Sequence, residues 1–354
     1  MTRLAAVHGV LPPHRYAQRE ITEAFADMCL SRPGDRRLLE RFHAAAGVGT
    51  RHFALPLDRY RTLEGFGQAN GAFIDAAMEL GEQAVKGALA EAGLTAPDVD
   101  LIVATSVTGI ATPSIDARLV GRLGLREDVK RIPVFGLGCV AGAAGIARLH
   151  DYLRAWPEQV AVLLSVELCS LTMQRDDASP ANLVASALFG DGAAAVVAVG
   201  EDRARSLGCA GPRVVATRSR LYPSSERVMG WDIGGSGFRI VLDASVADVV
   251  EEYLGRDVGA FLDGNGLSTG EVGTWVCHPG GPKVLEAMQR ALRLPAGALE
   301  RTWRSLEQVG NLSSASVLLV LRDTMAAGRP APGEPGVLLA MGPGFCSELV
   351  LLRG

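Results

Sequence analysis

Cys139, His278 and Asn311 are the residues of this chain best suited to chemistry, and each stands in a glycine-rich setting. Cys139 follows a short apolar stretch, Ile132-Pro133-Val134-Phe135, and a turn, Gly136-Leu137-Gly138. After it comes Val-Ala-Gly-Ala-Ala-Gly-Ile-Ala, a helix opening with almost no side-chain bulk. Strand, glycine turn, nucleophile and small-residue helix follow the logic of a nucleophile elbow. The glycines permit a sharp turn and close approach of substrate, and a helix N-terminus favours a thiolate. A buried cysteine starting an internal helix that packs through Gly and Ala would read the same way. His278 ends the strand Thr274 to Cys277 and is followed by Pro279-Gly280-Gly281-Pro282, which hold the backbone just after the imidazole. His8, His14, His43, His52 and His150 have no such turn; a histidine at a strand end can equally be a structural hydrogen-bonder. Asn311 lies in Gly310-Asn311-Leu312-Ser313-Ser314-Ala315-Ser316, ahead of an apolar helix. It reads either as a helix cap or as a donor to an oxyanion. Together the three supply what acyl transfer requires: a thiol, a base beside it, and donors for the oxygen that becomes negative.

The elements that must position these residues are strands alternating with helices. Leu101 to Thr105, Val160 to Val166, Ala193 to Val199, Thr274 to Cys277, Val337 to Met341 and Glu348 to Leu352 read as buried strands. Phe73 to Ala92, Ser114 to Leu123, Val140 to Ala155, Val246 to Phe261, Lys283 to Leu292 and Ser314 to Ala327 read as helices. That alternation predicts an α/β fold with a largely covered sheet. Gly200 to Gly211 reads as a linker. It divides the chain into residues 1–205, with the candidate nucleophile, and 206–354, with the candidate histidine and asparagine. The halves rhyme weakly, each leading an acidic turn into a strand that ends in a polar turn. Arg329 to Pro335 reads as a surface loop before a final hairpin.

Composition narrows the class. In 354 residues, 48% are hydrophobic, 21% charged and 5% aromatic, with a net charge of -4. This suits a globular protein with a large aliphatic interior and argues against a nucleic-acid partner. The six cysteines are scattered with no C-x-x-C pair, so neither a metal site nor a disulfide framework is expected. The apolar stretch at the N-terminus is too short and interrupted for a signal peptide, and no membrane-length run follows. The expectation is a soluble, cytoplasmic protein.

Gly138-Cys139 with its Ala/Gly helix, Leu188-Phe189-Gly190-Asp191-Gly192-Ala193-Ala194, His278-Pro279-Gly280-Gly281-Pro282, Gly310-Asn311-Leu312-Ser313-Ser314-Ala315 and Gly342-Pro343-Gly344 occur in this order across nearly the whole chain. As a set they resemble the type III polyketide synthases, the chalcone synthase-like branch of the thiolase superfamily. The resemblance implies a thiolase-like, five-layered αβαβα fold of two related halves, normally a homodimer. It also implies iterative decarboxylative condensation of malonyl-CoA onto an acyl-CoA or acyl-carrier-protein starter, ending in a pyrone or phenolic ring, with no cofactor. Carried over by motif, Cys139 is the acylated nucleophile, and His278 and Asn311 stabilise the enolate and tetrahedral oxyanions. Phe189 and Phe238 are gatekeepers between CoA tunnel and cavity. Thr172, Cys169, Gly230 and Ser313 line the cavity, and Thr112 lies near a loop that reaches the partner subunit. Lysine is scarce, and Arg51, or an arginine near it, is the expected phosphate contact. Bacterial members of this type take aliphatic starters and make alkylpyrones or alkylresorcinols, and the expectation leans that way.

Three other readings compete. A β-ketoacyl-ACP synthase III-like enzyme also combines Cys, His and Asn, but a Gln-Ala-Asn string usually follows its histidine, where this chain has Pro-Gly-Gly-Pro. A papain-like hydrolase shares the order of the three residues but expects tryptophan where Val140 stands. A non-catalytic thiolase-fold subunit would have no need for Cys139.

Overall fold

The structure is a computed structural model that describes residues 1–30 and 33–354. In the N-terminal part the strands are β1 (Thr2–Val10), β2 (His14–Ala17), β3 (Thr50–Phe53), β4 (Leu101–Thr105), β5 (Lys130–Val134), β6 (Val160–Leu168) and β7 (Asp191–Val199). The helices between them are α1 (Gln18–Cys29), α2 (Pro33–Ala45), α3 (Gly65–Glu91), α4 (Ile115–Leu123), α5 (Ala141–Ala155), α6 (Pro180–Leu188) and α7 (Glu201–Leu207). The C-terminal part adds β8 (Arg213–Leu221), β9 (Met229–Gly234), β10 (Gly237–Leu242), β11 (Thr274–Cys277), β12 (Pro335–Gly342) and β13 (Cys346–Arg353). Its helices are α8 (Val246–Asp263), α9 (Pro282–Leu292), α10 (Glu300–Val309) and α11 (Ser314–Ala326).

Nine strands form one sheet in the order β11-β12-β13-β8-β1-β7-β6-β4-β5. The order repeats across the chain. β1 pairs antiparallel with β7, β7 antiparallel with β6, and β6 parallel with β4. Likewise β8 pairs antiparallel with β13, β13 antiparallel with β12, and β12 parallel with β11. The two sets join where Thr2 and Arg3 pair with Val214 and Arg213 and the Leu4 N–H donates to the Pro212 carbonyl at 3.0 Å.

Period-two alternation explains the layering, because successive side chains of a strand leave opposite faces of the sheet. Val160, Val162, Leu164 and Val166 enter one outer core with α3 and α4, while Ala161 and Leu163 enter a central core with α5 and α11. Val337, Leu339 and Met341 face a second outer core with α8 and α9, while Leu338 and Ala340 turn to the same central core. Helix, sheet, helix, sheet, helix is therefore the order through the molecule, the thiolase-like five-layered arrangement. α5 and α11 are covered from both sides and must be small on their contact faces. A Cβ on Gly142 would lie 2.3 Å from the Ser314 carbonyl oxygen, and one on Gly145 would lie 2.4 Å from Leu163 Cδ1.

Several local expectations change. The N-terminal apolar stretch is β1, the strand that joins the two sets. Its Gly9 obscured the strand pattern, yet a Cβ there would lie 2.1 Å from Leu319 Cδ2 of α11. α3 starts at Gly65 rather than Phe73. Glycines at 65, 67 and 71 lower helical propensity, and packing against β1, β6 and β7 overrides it. The expected linker holds the short helix α7, docked on β1. The segment before α8 contains a separate hairpin, β9–β10, bound to the body by hydrogen bonds from Trp231 Nε1 to the Val107 carbonyl (3.0 Å) and Gln174 Nε2 to the Phe238 carbonyl (3.2 Å).

Candidate active site

β5 delivers Cys139 through Gly136–Gly138 into a 3-10 turn that runs directly into α5. Gly138 has φ +56°, and a Cβ there would lie 2.7 Å from Pro343, so glycine is required on both counts. A Cβ on Gly342 would lie 2.8 Å from the Val140 amide nitrogen, so the Gly342–Gly344 turn presses on the backbone of the elbow. The Cys139 thiol is buried and donates to Ser313 Oγ at 3.7 Å. Burial pushes it up to about 12, the Ser313 hydrogen bond acting in the opposite direction.

β11 ends at Cys277 and places His278 at its edge, with the His278 amide donating to the Leu339 carbonyl of β12 at 2.9 Å. The imidazole is buried with neither ring nitrogen hydrogen-bonded, and desolvation pulls it down to about 3. It is therefore neutral near pH 7, with both nitrogens free for an incoming group. Asn311 precedes α11. Its Oδ1 accepts the Ser313 N–H (2.8 Å), which fixes the amide orientation, and Nδ2 donates to the Gly280 carbonyl at 3.3 Å. An amide NH₂ has two hydrogens, so one is left for the cavity. Cys139, His278 and Asn311 line a single channel of about 340 Å³, with Met341 and Phe345 on its wall and Lys283 and Asp243 among its charged residues.

The remaining candidate residues separate. Phe189, the residue that caps α6, borders this channel and two smaller chambers of about 50 and 30 Å³. Thr172 lines the first chamber, Gly230 and Ser313 line the second beside Cys139, and Cys169 lines both. Thr112 lies on an exposed loop after β4 and lines none of these spaces.

Two residues stand apart from the spaces where they were expected. Phe238 does not line the channel or either chamber; it is buried against Phe66, Phe135 and Trp231. Ile240, two residues further along β10, borders both chambers, as does Trp231 on β9. Arg51 lies in the interior rather than at the surface where a phosphate contact was expected. It is 1% exposed, and its guanidinium donates to the Phe189 carbonyl (Nη1, 2.7 Å) and to Gln18 Oε1 (Nε, 3.1 Å; Nη2, 2.9 Å). Lys283 is the cation on the channel lining.

Sequence reasoning missed Glu167, at 0% exposure behind Cys139. Its carboxylate accepts from Thr108 Oγ1 (2.9 Å), the Val107 N–H (3.0 Å) and Ser314 Oγ, and burial raises its pKa. The available signal was a lone acid ending an apolar strand, since an acid is buried there only if it is hydrogen-bonded.

A buried thiol, a free neutral imidazole and an oriented amide on one largely apolar channel suit acyl transfer between thioesters. The sequence matches the N-terminal domain of chalcone and stilbene synthases over residues 6–203 and their C-terminal domain over residues 213–354. This chain belongs to the chalcone and stilbene synthase family. It is 62% identical to 1,3,6,8-tetrahydroxynaphthalene synthase of Streptomyces peucetius subsp. caesius, covering 99% of this chain and 93% of that protein. A putative chalcone synthase of Bacillus subtilis (strain 168) is 37% identical, over 89% of this chain and 88% of its own. The crystal structure of 1,3,6,8-tetrahydroxynaphthalene synthase from Streptomyces coelicolor A3(2), a bacterial type III polyketide synthase, superposes with a TM-score of 0.90 at 31% identity, covering 99% of each chain. As a member of this family the chain is a type III polyketide synthase, an acyltransferase. The synthase III, hydrolase and non-catalytic alternatives are set aside. Among the described residues no helix is long and apolar enough to cross a membrane.

Proposed function

We propose that this synthase builds a hydroxylated naphthalene from malonyl units, with Cys139 as nucleophile and His278 and Asn311 as the oxyanion donors. The observation that carries the reading is the channel itself, which brings these three side chains to one space although they lie far apart in sequence. Similarity to the Streptomyces peucetius tetrahydroxynaphthalene synthase supports the product class. A naphthalene bearing oxygen on alternate carbons is what head-to-tail two-carbon units yield. The small inner chambers favour a short starter over the aliphatic chain that the sequence suggested.

In the first step the Cys139 sulfur attacks the starter thioester carbonyl. The thiol proton passes to His278 and then to the departing CoA sulfur. Malonyl-CoA then loses carbon dioxide as its C–C bond breaks. The electron pair becomes an enolate whose oxygen accepts hydrogen bonds from His278 and from the free Asn311 N–H. The enolate carbon attacks the acyl group on Cys139, the thiolate leaves, and the lengthened chain returns to Cys139 for the next round. Burial makes the donors effective, because fixed dipoles in a dry site need not reorganise as charge develops. The CoA phosphates meet Lys283 at the channel. Exposed Ile132, Phe135 and Leu137 around β5, the edge strand of the sheet, provide the surface for a homodimer, with Thr112 on a neighbouring loop.

Mass spectrometry of products from purified protein with malonyl-CoA, alone and with acyl-CoA starters, tests this. Tetrahydroxynaphthalene or its oxidation product from malonyl-CoA alone is the expected result. Alkylpyrones formed only with a long acyl starter would overturn the product assignment.

A further inference from the structure

Arg51 is a cation sealed in the interior with no carboxylate within salt-bridge distance among the described residues. The nearby Asp191 carboxylate is taken up by the Ser170 and Ala54 amides and by Ser170 Oγ. Burying a guanidinium is costly, and a neutral side chain of similar length would fill the same space. Its hydrogen bonds are directed. One N–H reaches the Phe189 carbonyl at 2.7 Å, while two others grip Gln18 Oε1. Gln18 in turn donates from Nε2 to the Ala187 carbonyl at 2.9 Å. Both ends of this Arg–Gln pair therefore hold the Ala187–Phe189 backbone.

That backbone is also what holds Asn311. The Asn311 N–H donates to the Leu188 carbonyl (2.8 Å), and the Gly190 N–H donates to the Asn311 carbonyl (3.0 Å), a parallel bridge between Phe189 and Asn311. The arginine's own carbon chain fits against the turn. A Cβ on Gly310 would lie 3.0 Å from Arg51 Cδ, and one on Gly190 would lie 3.5 Å from Arg51 Cβ. The Phe189 peptide is thus clamped, with Arg51 on its carbonyl and the Asn311 strand on its flanks.

We propose that Arg51 is a positioning residue for the decarboxylation step, acting through the Phe189 carbonyl to hold Asn311 where the enolate oxygen forms. The inference rests on the role of Asn311 proposed above. Arg51 makes no hydrogen bond to Cys139 or His278 among the described residues. Its loss therefore displaces the amide donor and leaves the thiol in place. A shift of about 1 Å in a catalytic group can cost as much as 10²-fold in rate.

The test measures carbon dioxide release from malonyl-CoA in Arg51→Met, Arg51→Lys and Gln18→Met, beside iodoacetamide labelling of Cys139 and thermal unfolding. Gln18→Met loosens the clamp while keeping the arginine, and so remains informative if Arg51→Met does not fold. In each variant that folds, kcat for decarboxylation is expected to fall about tenfold or more, with KM within about twofold. Cys139 labelling should keep its wild-type rate, and Arg51→Lys should recover part of the loss. In an Asn311→Ala background, Arg51→Met or Gln18→Met should cost nothing further, since the donor they position is gone. Wild-type decarboxylation in both Arg51→Met and Gln18→Met overturns the inference. So does a parallel loss of Cys139 labelling, or a loss that adds in full to that of Asn311→Ala. Wild-type decarboxylation in Asn311→Ala alone instead removes the underlying assignment of Asn311, an outcome distinct from any failure of Arg51.

Discussion

Replacing Gly310 by alanine perturbs the site without touching any group that meets substrate. Gly310 has φ +75° and ψ −162°, a region essentially reserved for glycine, where another residue costs about 1–3 kcal/mol. The added Cβ would lie 2.6 Å from the Leu188 carbonyl oxygen, the acceptor of the Asn311 N–H, and 3.0 Å from Arg51 Cδ. Backbone atoms cannot swing aside as a flexible side chain can, so overpacking adds a further ~1–3 kcal/mol. The sum, about 2–6 kcal/mol at about 2–4 °C per kcal/mol, is a fall in Tm of roughly 4–24 °C. Relief of the clash must move Asn311 or Leu188, so decarboxylation of malonyl-CoA should fall about tenfold or more in the folded fraction. Gly328→Ala is the control. Its φ is +66°, but nothing lies within 4 Å of its Cβ position, so it meets only the left-handed backbone cost of about 1–2 kcal/mol. Differential scanning calorimetry and a carbon dioxide release assay on both variants decide the matter. A Gly310→Ala protein no less stable than Gly328→Ala, with full decarboxylation, would refute the reasoning.

Three further outcomes are expected. His278→Gln removes an unpartnered imidazole lining the channel, so iodoacetamide labelling of Cys139 between pH 6 and 8 should slow; an unchanged rate would mean His278 does not take the thiol proton. Lys283→Glu should raise KM for malonyl-CoA about 3–10-fold at low salt and leave kcat unchanged, with the effect shrinking as ionic strength rises; equal KM values would remove Lys283 from phosphate binding. His278 is held neutral when folded, at about 3 against 6.5 for the free group, so the unfolded chain binds more protons in between. Stability from this residue is complete above pH 6.5 and is lost as pH falls through that window. Wild type should therefore lose about 1.4 kcal/mol per pH unit more than His278→Gln between pH 5.5 and 4, read by urea unfolding. Taking the difference cancels His43, also lowered to about 3, and Asp191, raised to about 6, which acts in the opposite sense.

Local pattern carried much of this protein. The strands from Leu101, Val160, Thr274 and Val337 and the helices after Cys139 and Ser313 stand where apolar periodicity and glycine placement put them. The turns holding Cys139, His278 and Asn311 were legible because each is built from contiguous residues whose backbone needs glycine or proline. Tertiary structure alone decided what lies between those turns. Gly9 hides β1 until Leu319 of α11 is seen packed against it. Arg51 looks like a surface cation until Gln18 and Phe189, 33 and 138 positions away, are found around its guanidinium. Glu167 gains its meaning from Ser314, 147 residues on, and Ile240 rather than Phe238 meets the chambers because of how the β9–β10 hairpin docks. The physical reason is one of range. Backbone preference and amphipathic period act over a few residues and leave a readable trace. The pairing of a buried charge, or the choice of which side chain faces a cavity, is settled by partners that only the folded chain brings together.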